Sequence, residues 1–530
     1  MNKNKISFVT ELKWYIPLVV FITYFIVTSY NFQLHDFANY YFASKAGLEF
    51  EDSSFIYSIY SFNSYLWSLG YPEVLVDFYI NSPFTIAVFS PFLWFENAFV
   101  AKLIFNILSS VFFLASLYLL LKSKFNKKQS SIFFILLPVL FFVPLRNQIL
   151  FGQSYFLVFS CIVFALLLIE KQKEIKAGFI LVLASLLKIF PVIYGLHLLL
   201  NKKYKALAIS TLVVLSLILI AIWQSGLEIW KTYLVEVLPT TFKNHSGIGY
   251  QFNAQSVSVF LKTLFVKDVY YNPEAIVDSF ATYTVLTWLY KSFIIALFIQ
   301  GIRENSNNVF KVFVITTVSL FLLQDRTATY AQLLWIIPLS YLFTSKISIK
   351  IKYLMVLEIL IICNIPLRWL EELPIILKFG RMWLMLIVGI IFLFHFVKKI
   401  KPKFILYTCC FTIPISIFSI VKYVPSKAEY VLPNTDYFLV HEYSAEKGYL
   451  TYKALGRNGE VEENTEIKIN SISENELKVI DNQVYFRGQQ ITFDNSLKTR
   501  PKLINNSEIY FLSDYNTRRG QFTLKKIVID

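Results

Sequence analysis

The sequence predicts an α-helical polytopic membrane protein with about eleven spans, a two-armed half-membrane hairpin and some 13 helices in all, followed by an extracytoplasmic all-β domain. Three observations predict it. Of 530 residues, 56% are hydrophobic and only 16% are charged, against about 25% charged in an average soluble domain. Long apolar runs recur through residues 1–424 and stop there. The net charge of +15 is confined to that apolar part: from Pro425 onward 14 basic and 15 acidic residues nearly cancel, whereas residues 1–424 carry 36 basic and 20 acidic ones. A basic excess threaded between apolar segments is an orientation signal, with Lys and Arg held on the cytoplasmic side. It speaks against the nucleic-acid partner that so basic a chain otherwise suggests.

A span needs roughly 17–25 mostly apolar residues. The candidates are 14–30, 99–121, 130–146, 154–169, 206–223, 281–302, 309–323, 331–344, 353–367, 382–397 and 404–421. Basic connections follow many of them, among them Lys122–Lys128, Lys171–Lys176, Lys202–Lys205 and Lys346–Lys352, and should be cytoplasmic. Two segments break the pattern. Residues 84–95 are too short to cross and read as an interfacial helix. Residues 177–200 have basic flanks at both ends and are split by Lys188 and Pro191, so they read as a hairpin that enters and returns. Broken elements at membrane depth occur only where they are buried in protein or line a polar cavity. The resulting thread puts the N-terminus in the cytoplasm of a bacterial-type inner or plasma membrane. It leaves loops 31–98 and 224–280 and the domain 425–530 outside, the membrane domain being 1–424. The tail alternates short runs such as Gln483-Val-Tyr-Phe-Arg, Gln490-Ile-Thr-Phe and Glu508-Ile-Tyr-Phe-Leu with Asn/Gly/Asp turns, a strand pattern.

Polar residues gather at the outer span ends: His35-Asp36, Arg146-Asn147-Gln148, Gly152-Gln153, Lys188, His245, Asn253, Gln255-Ser256, Gln324-Asp325-Arg326 and Arg368. Asp36 opens what reads as an amphipathic helix. It is either the N-cap or a partly desolvated general base at the membrane surface. Lys188 is either a snorkelling lysine or an intramembrane cation that meets an anion, phosphate being the obvious one. Arg146 and Arg326 sit at span ends, where interfacial and phosphate-binding roles are both open. Asp325 either pairs with a nearby cation or joins the site. Asn253, Gln255 and Ser256 either cap the run Val257–Leu264 or line the site. The five His are scattered and no metal spacing or nucleotide motif occurs, so neither metal nor cofactor is expected.

The order and spacing of four stretches resemble the GT-C class of membrane glycosyltransferases, and within it glycosyltransferase family 87, the polyprenyl-phosphate-mannose-dependent mannosyltransferases. The stretches are Asp36 with Tyr40, Tyr41, Ala43 and Ala46; Asn81-Ser-Pro-Phe followed by Pro91; Gly152-Gln153 after Pro144; and Ala177-Gly178, Lys188, Pro191 and Leu198-Leu-Leu-Asn-Lys-Lys-Tyr. The likeness runs over about residues 10–400. It departs at Ala254, where the family has Asn, and at Tyr330 and Gln332, where it has a Trp and a His. The final stretch 501–527 resembles a blade of the TolB-like β-propellers. The resemblance implies a hexosyltransferase that moves a sugar, mannose in the family, from a polyprenyl-phosphate donor to a glycan or glycolipid acceptor at the outer face. Asp36 would then be the base. Lys188, Arg146 and Arg326 would hold the donor phosphate, and Gln153, Tyr40, Tyr41, Asn253, Gln255, Ser256 and Asp325 would bind substrate.

Two other readings compete. A lipid-linked oligosaccharide polymerase or ligase would need a long late outer loop, and loop 368–381 is short. A lipid or sugar transporter would spread polar groups across the bilayer depth and show inverted repeats.

Overall fold

A computed structural model describes residues 14–78, 81–239, 252–268, 272–273, 275–397, 399–431, 437–446, 448–456, 461–473, 476–494, 496–514 and 522–529. Helices fill the chain from Ile16 to Val421, and strands fill it from Glu429 to Val528.

The helices that position the candidate site are α1 (Ile16–Tyr30), α2 (Asp36–Glu49), α3 (Phe84–Phe89), α4 (Ala98–Lys124), α5 (Lys127–Leu140), α6 (Phe142–Phe151), α7 (Tyr155–Glu170), α8 (Glu174–Leu187) and α9 (Tyr204–Ser225). The later ones are α10 (Val257–Phe265), α11 (Phe280–Glu304), α12 (Val309–Leu323), α13 (Ile336–Thr344), α14 (Ile349–Asn364), α15 (Gly380–Phe396) and α16 (Pro402–Val421). Four of them, α4, α9, α11 and α16, are each long and apolar enough to cross a membrane alone. The other apolar helices are shorter: α12, at 15 residues, is about 22 Å long against a hydrocarbon core of about 30 Å. In α9 only Ala206, Ala221 and Ser225 are buried, and Trp223 at its far end is 88% exposed. That is the face of a helix at the lipid boundary with a belt aromatic at its tip.

The run expected as one span over 130–146 is two helices. α5 and α6 meet at Phe141 with a 67° bend. Pro144 has no N–H to give to the Leu140 carbonyl, and its ring crowds that carbonyl. Asn364, at the end of α14, satisfies the groups this frees. Its amide donates to Leu140 O at 2.9 Å, and its Oδ1 accepts from Val143 N at 3.0 Å. The bend turns α6 into the bundle.

Two expectations hold in local structure. Residues 84–94 form the single turn and a half of α3 followed by a 3₁₀ segment, Ser90–Trp94, with Trp94 86% exposed. Over 177–200, α8 stops at Leu187, Lys188 is extended, and a 3₁₀ arm, Phe190–Gly195, leads into Leu196–Leu200. Pro191 has the fixed φ and missing donor that suit the first turn of that arm.

Among the described residues the tail forms three antiparallel sheets. Their orders are β1-β11-β10-β9-β5, β2-β3-β4 and β6-β7-β8, where β1 is Glu429–Tyr430, β2 Tyr437–Glu446, β3 Tyr449–Gly456, β4 Val461–Lys468, β5 Ile472–Ser473, β6 Leu477–Ile480, β7 Gln483–Phe486, β8 Gln489–Gln490, β9 Lys498–Ile504, β10 Glu508–Asp514 and β11 Phe522–Val528. Strands at Gln483 and Glu508 are as expected. The third expected strand ends at Gln490. Beyond it the Thr492 hydroxyl, not a backbone carbonyl, accepts from Val484 N at 2.8 Å, so a side chain takes over the ladder.

Candidate active site

The α1–α2 connection ends at His35, whose φ of 49° lets the chain reverse into α2. Asp36 is therefore the first helical residue and not the cap. Its carboxylate lies 3.4 Å from His35 Nδ1, and its side chain keeps 24% of its surface accessible. The helix it opens is not amphipathic. Phe37 to Ser44, Ala46 and Gly47 are all buried, packed among others against Phe89, Phe92, Phe105 and Ile86, and only the helix's last turn, at Leu48 and Glu49, is exposed.

Tyr40 is one helical turn from Asp36 and so shares its face. Its hydroxyl donates to Gln153 Oε1 at 2.9 Å, and its ring stacks on Phe89 at 4.5 Å. Burial pushes the phenol well above its ordinary value, so it remains a neutral donor. Tyr41, one residue on, is rotated about 100° and points elsewhere: it donates to Phe95 O at 2.9 Å and to Glu96 O at 3.1 Å. Tyr41 is thus a brace for the chain ahead of α4.

Gln153 owes its place to Gly152, which ends α6 in the left-handed conformation at φ 66°, the usual glycine C-terminus. A Cβ there would lie 2.6 Å from Phe37 Cβ, so the α6–α7 turn presses directly against the residue after Asp36. Gln148, fully buried, donates to the Gln153 carbonyl and holds the turn.

Lys188, at the hairpin break, donates to Asn81 Oδ1 at 2.8 Å, with its ammonium 5.8 Å from the centre of the Tyr40 ring. The Asn81-Ser-Pro-Phe stretch is therefore the hairpin's dock. Ser82 donates to Leu186 O, Tyr57 donates to Asn81 O at 3.0 Å, and Pro83 leads into α3.

The Asp36 carboxylate is in electrostatic range of the Lys188 and Lys102 ammonium groups and of the Tyr40, Tyr155 and Tyr330 phenols, and Tyr330 is in range of Arg326. Lys188, Tyr155 and Tyr330 are half-buried and Arg326 is exposed, an arrangement consistent with the wall of a concavity beside Asp36. Desolvation lowers the Arg326 guanidinium from its usual value, and the neighbouring Tyr330 opposes this. The Tyr155 ring packs on Tyr330 at 5.3 Å and on Phe190 at 6.1 Å, joining the hairpin to the far wall.

The other expected residues divide. Arg146 is exposed on α6. Asp325 is held by Lys291 of α11 at 2.9 Å, in range of Tyr283 and Tyr290 rather than of the Asp36 group. Ser256 caps α10 by accepting from Val259 N, and it donates to Asp325 O at 2.8 Å. Gln255 is fully buried and bonds Lys378 O at 2.9 Å and Met382 N at 3.3 Å. Asn253 is exposed, and its carbonyl accepts from Arg381 at 3.3 Å. Ser256 thus latches segment 253–256 to loop 324–329, while Gln255 and Asn253 tie it to residues 378–382. Gln332 turns into the core, where it accepts from Trp335 Nε1 at 2.8 Å. His245 lies outside the described residues.

Two buried cations escaped the sequence reading. Arg381, 1% exposed, donates to Thr327 O at 2.7 Å and clamps the loop that carries Arg326. Lys102, fully buried in α4, donates to Gln33 O at 2.6 Å. Each is a lone cation near the start of an apolar run, and its only signal was the cost of placing it there. Among the described residues no three His, Cys, Asp or Glu side chains gather into a metal-sized cluster.

A carboxylate, a fixed ammonium and a guanidinium around one concavity make a site suited to a hydroxyl nucleophile and an anionic leaving group. Residues 79–324 match the model of glycosyltransferase family 87. The family implies a membrane glycosyltransferase, and the resemblance drawn from sequence is borne out over that stretch. With its apolar helices, the chain is a multi-pass membrane protein. The match takes in Asn81, Gln153 and Lys188. It begins after the helix that carries Asp36, so it is narrower than the likeness expected over residues 10–400. No curated protein matches the chain.

Proposed function

We propose that the protein transfers a hexose, mannose on the family resemblance, from a polyprenyl-phosphate donor to a glycan or glycolipid acceptor at the outer face of the membrane, with inversion. The observation that carries this reading is the Asp36 carboxylate in electrostatic range of Lys188, whose ammonium Asn81 holds at 2.8 Å.

Asp36 takes the proton of the acceptor hydroxyl as that oxygen attacks the anomeric carbon. The bond from that carbon to the phosphate oxygen breaks on the opposite face, so a single displacement inverts the centre. The lipid phosphate leaves as an anion. Lys188, held by Asn81, faces the developing charge, and Arg326 supplies a second cation from the far wall. A fixed charge in a low-dielectric site is worth several kcal/mol, against about 1 kcal/mol in water. Tyr40 and Gln153 fix the floor between base and cation, so that substrate is met by groups already in place. The basic connections then face the cytoplasm together with the N-terminus, and the β-domain from residue 425 stands outside.

The test is turnover of a labelled polyprenyl-phosphate mannose by the purified protein in lipid nanodiscs. Asp36→Asn should lower it about 10²–10⁴-fold, the usual worth of a general base. Undiminished turnover in that variant rejects the base. Turnover with a polyprenyl diphosphate sugar and none with the monophosphate rejects the donor class.

A further inference from the structure

Lys102 has no role in the reading above, and its setting is unusual. It sits one turn into α4 and is fully buried. A lysine at such a place is costly unless its charge is used. Its ammonium donates to Gln33 O at 2.6 Å and lies 5.4 Å from the centre of the Phe32 ring. Gln33 and Phe32 belong to the short connection that delivers Asp36. From Phe32 a stack of rings continues to the same point: Phe32 on Phe151 at 6.1 Å, and Phe151 on His35 at 3.8 Å with the planes 7° apart. The connection has few bonds of its own. Asn31 N and Phe32 N close onto the end of α1 at Thr28 O and Ser29 O, and Gln33 O is held by Lys102.

We propose that Lys102 is a positioning residue for Asp36: through Gln33 O it pins the 31–35 connection, so that the carboxylate at the start of α2 is aimed before substrate arrives. Lys188 is the cation that meets the leaving phosphate, whereas Lys102 is fully buried and holds only the connection. The inference rests on the proposed role of Asp36, and one of its readouts is independent of turnover.

The experiment compares Lys102→Met, which removes the donor to Gln33 O, with Lys102→Gln, which keeps one, in the full-length protein in lipid nanodiscs. Backbone hydrogen exchange over residues 31–38 should accelerate about 10-fold or more in Lys102→Met and return toward the unsubstituted rate in Lys102→Gln. Turnover supplies the second readout: kcat should fall about 10-fold in the Met variant with donor KM little changed, and Lys102→Gln should recover most of it. Unchanged exchange and kcat in Lys102→Met overturn the inference, and so does a loss that Lys102→Gln does not relieve, which marks Lys102 as structural only. If Asp36→Asn turns over normally while the exchange effect is present, the base assignment has failed and the pinning of the connection stands.

Discussion

Gly152→Ala is a sharp test of how the site is built, because it adds one methyl group at a position that touches no substrate. Two costs follow from the geometry. At φ 66° a residue with a Cβ pays about 1–2 kcal/mol for the left-handed conformation. The new Cβ would also stand 2.6 Å from Phe37 Cβ. That atom is the root of its side chain and not a flexible end, so the turn or α2 must move, and such overpacking costs about 1–3 kcal/mol. Stiffening of the unfolded chain returns about 0.4–1 kcal/mol, leaving a net loss of roughly 2–4 kcal/mol. The functional consequence is larger than the stability loss suggests. Phe37 follows Asp36, and a 1 Å misplacement of a reacting group costs about 10²-fold in rate. Thermal unfolding in detergent should show a midpoint several degrees below that of the unsubstituted protein, and donor turnover should fall about 10²-fold. Gly195→Ala is the control. Its Cβ would meet nothing within 4 Å, so neither quantity should change. A Gly152→Ala protein with unaltered stability and turnover would refute the close approach of the α6–α7 turn to α2, and with it the account of how Gln153 and Asp36 are held.

Two further outcomes follow from packing and charge. A Cβ on Gly178 would lie 2.1 Å from Ser210 Oγ, with Ser210 Cβ next at 3.4 Å, so Gly178→Ala should destabilise the α8–α9 contact by about 1–3 kcal/mol, and adding Ser210→Ala should restore the unfolding midpoint; a double variant as unstable as the single one rejects that contact. In the β-domain, Lys498 is fully buried and bonds Asp494 Oδ1 at 2.9 Å. Burial alone would raise the Asp494 carboxyl, but the Ser496 hydrogen bonds and the Lys498 charge outweigh it and hold the group below its usual value. A depressed carboxyl stabilises fully above the ordinary carboxylate range, and the contribution is lost as pH falls through the folded value. Hydrogen exchange in β9 and β10 of the whole protein, corrected for intrinsic rates, should therefore be unchanged down to ~pH 5 and accelerate as pH falls below ~4. Lys498→Met should loosen the same strands at neutral pH by about 3–5 kcal/mol, the cost of an uncompensated buried charge. Flat protection in both cases rejects the pair as a stabilising element.

What the sequence disclosed and what it concealed divide along a physical line. The hairpin was legible because Pro191 breaks its middle and basic residues flank both its ends, which meet where Lys203 pairs with Glu174 at 2.7 Å. Tyr40 was legible by its spacing from Asp36, while Tyr41 was read as its twin although 100° of helix separates them. The kink at Phe141 was marked by Pro144, but its repair by Asn364 was not, since that side chain comes from 220 residues further on. Asp325 and Arg326 are adjacent, yet Lys291 captures one and the concavity keeps the other, a sorting that only tertiary packing decides. Lys102 and Arg381 illustrate the same point from the other direction. A single cation near the end of an apolar run reads as interfacial because a snorkelling side chain and a buried one share the same sequence pattern.

The span of the family match bears directly on the mechanism. It starts at residue 79, after α2, so it contains the proposed phosphate cation and its Asn81 dock but not the proposed base. Were Asp36 incidental to that core, α2 would be expected to pack against it through generic apolar contacts. Apolar contacts do bury α2, but particular residues of the core also tie it in place. Tyr40 bonds Gln153 inside the matched stretch at 2.9 Å, and Lys188 lies over the Tyr40 ring while bonding Asn81. Gly152 gives up its own Cβ to admit Phe37, and Lys102 spends a buried charge on Gln33. Four residues of the matched core thus hold one helix whose first residue is Asp36, the placement that the proposed base requires.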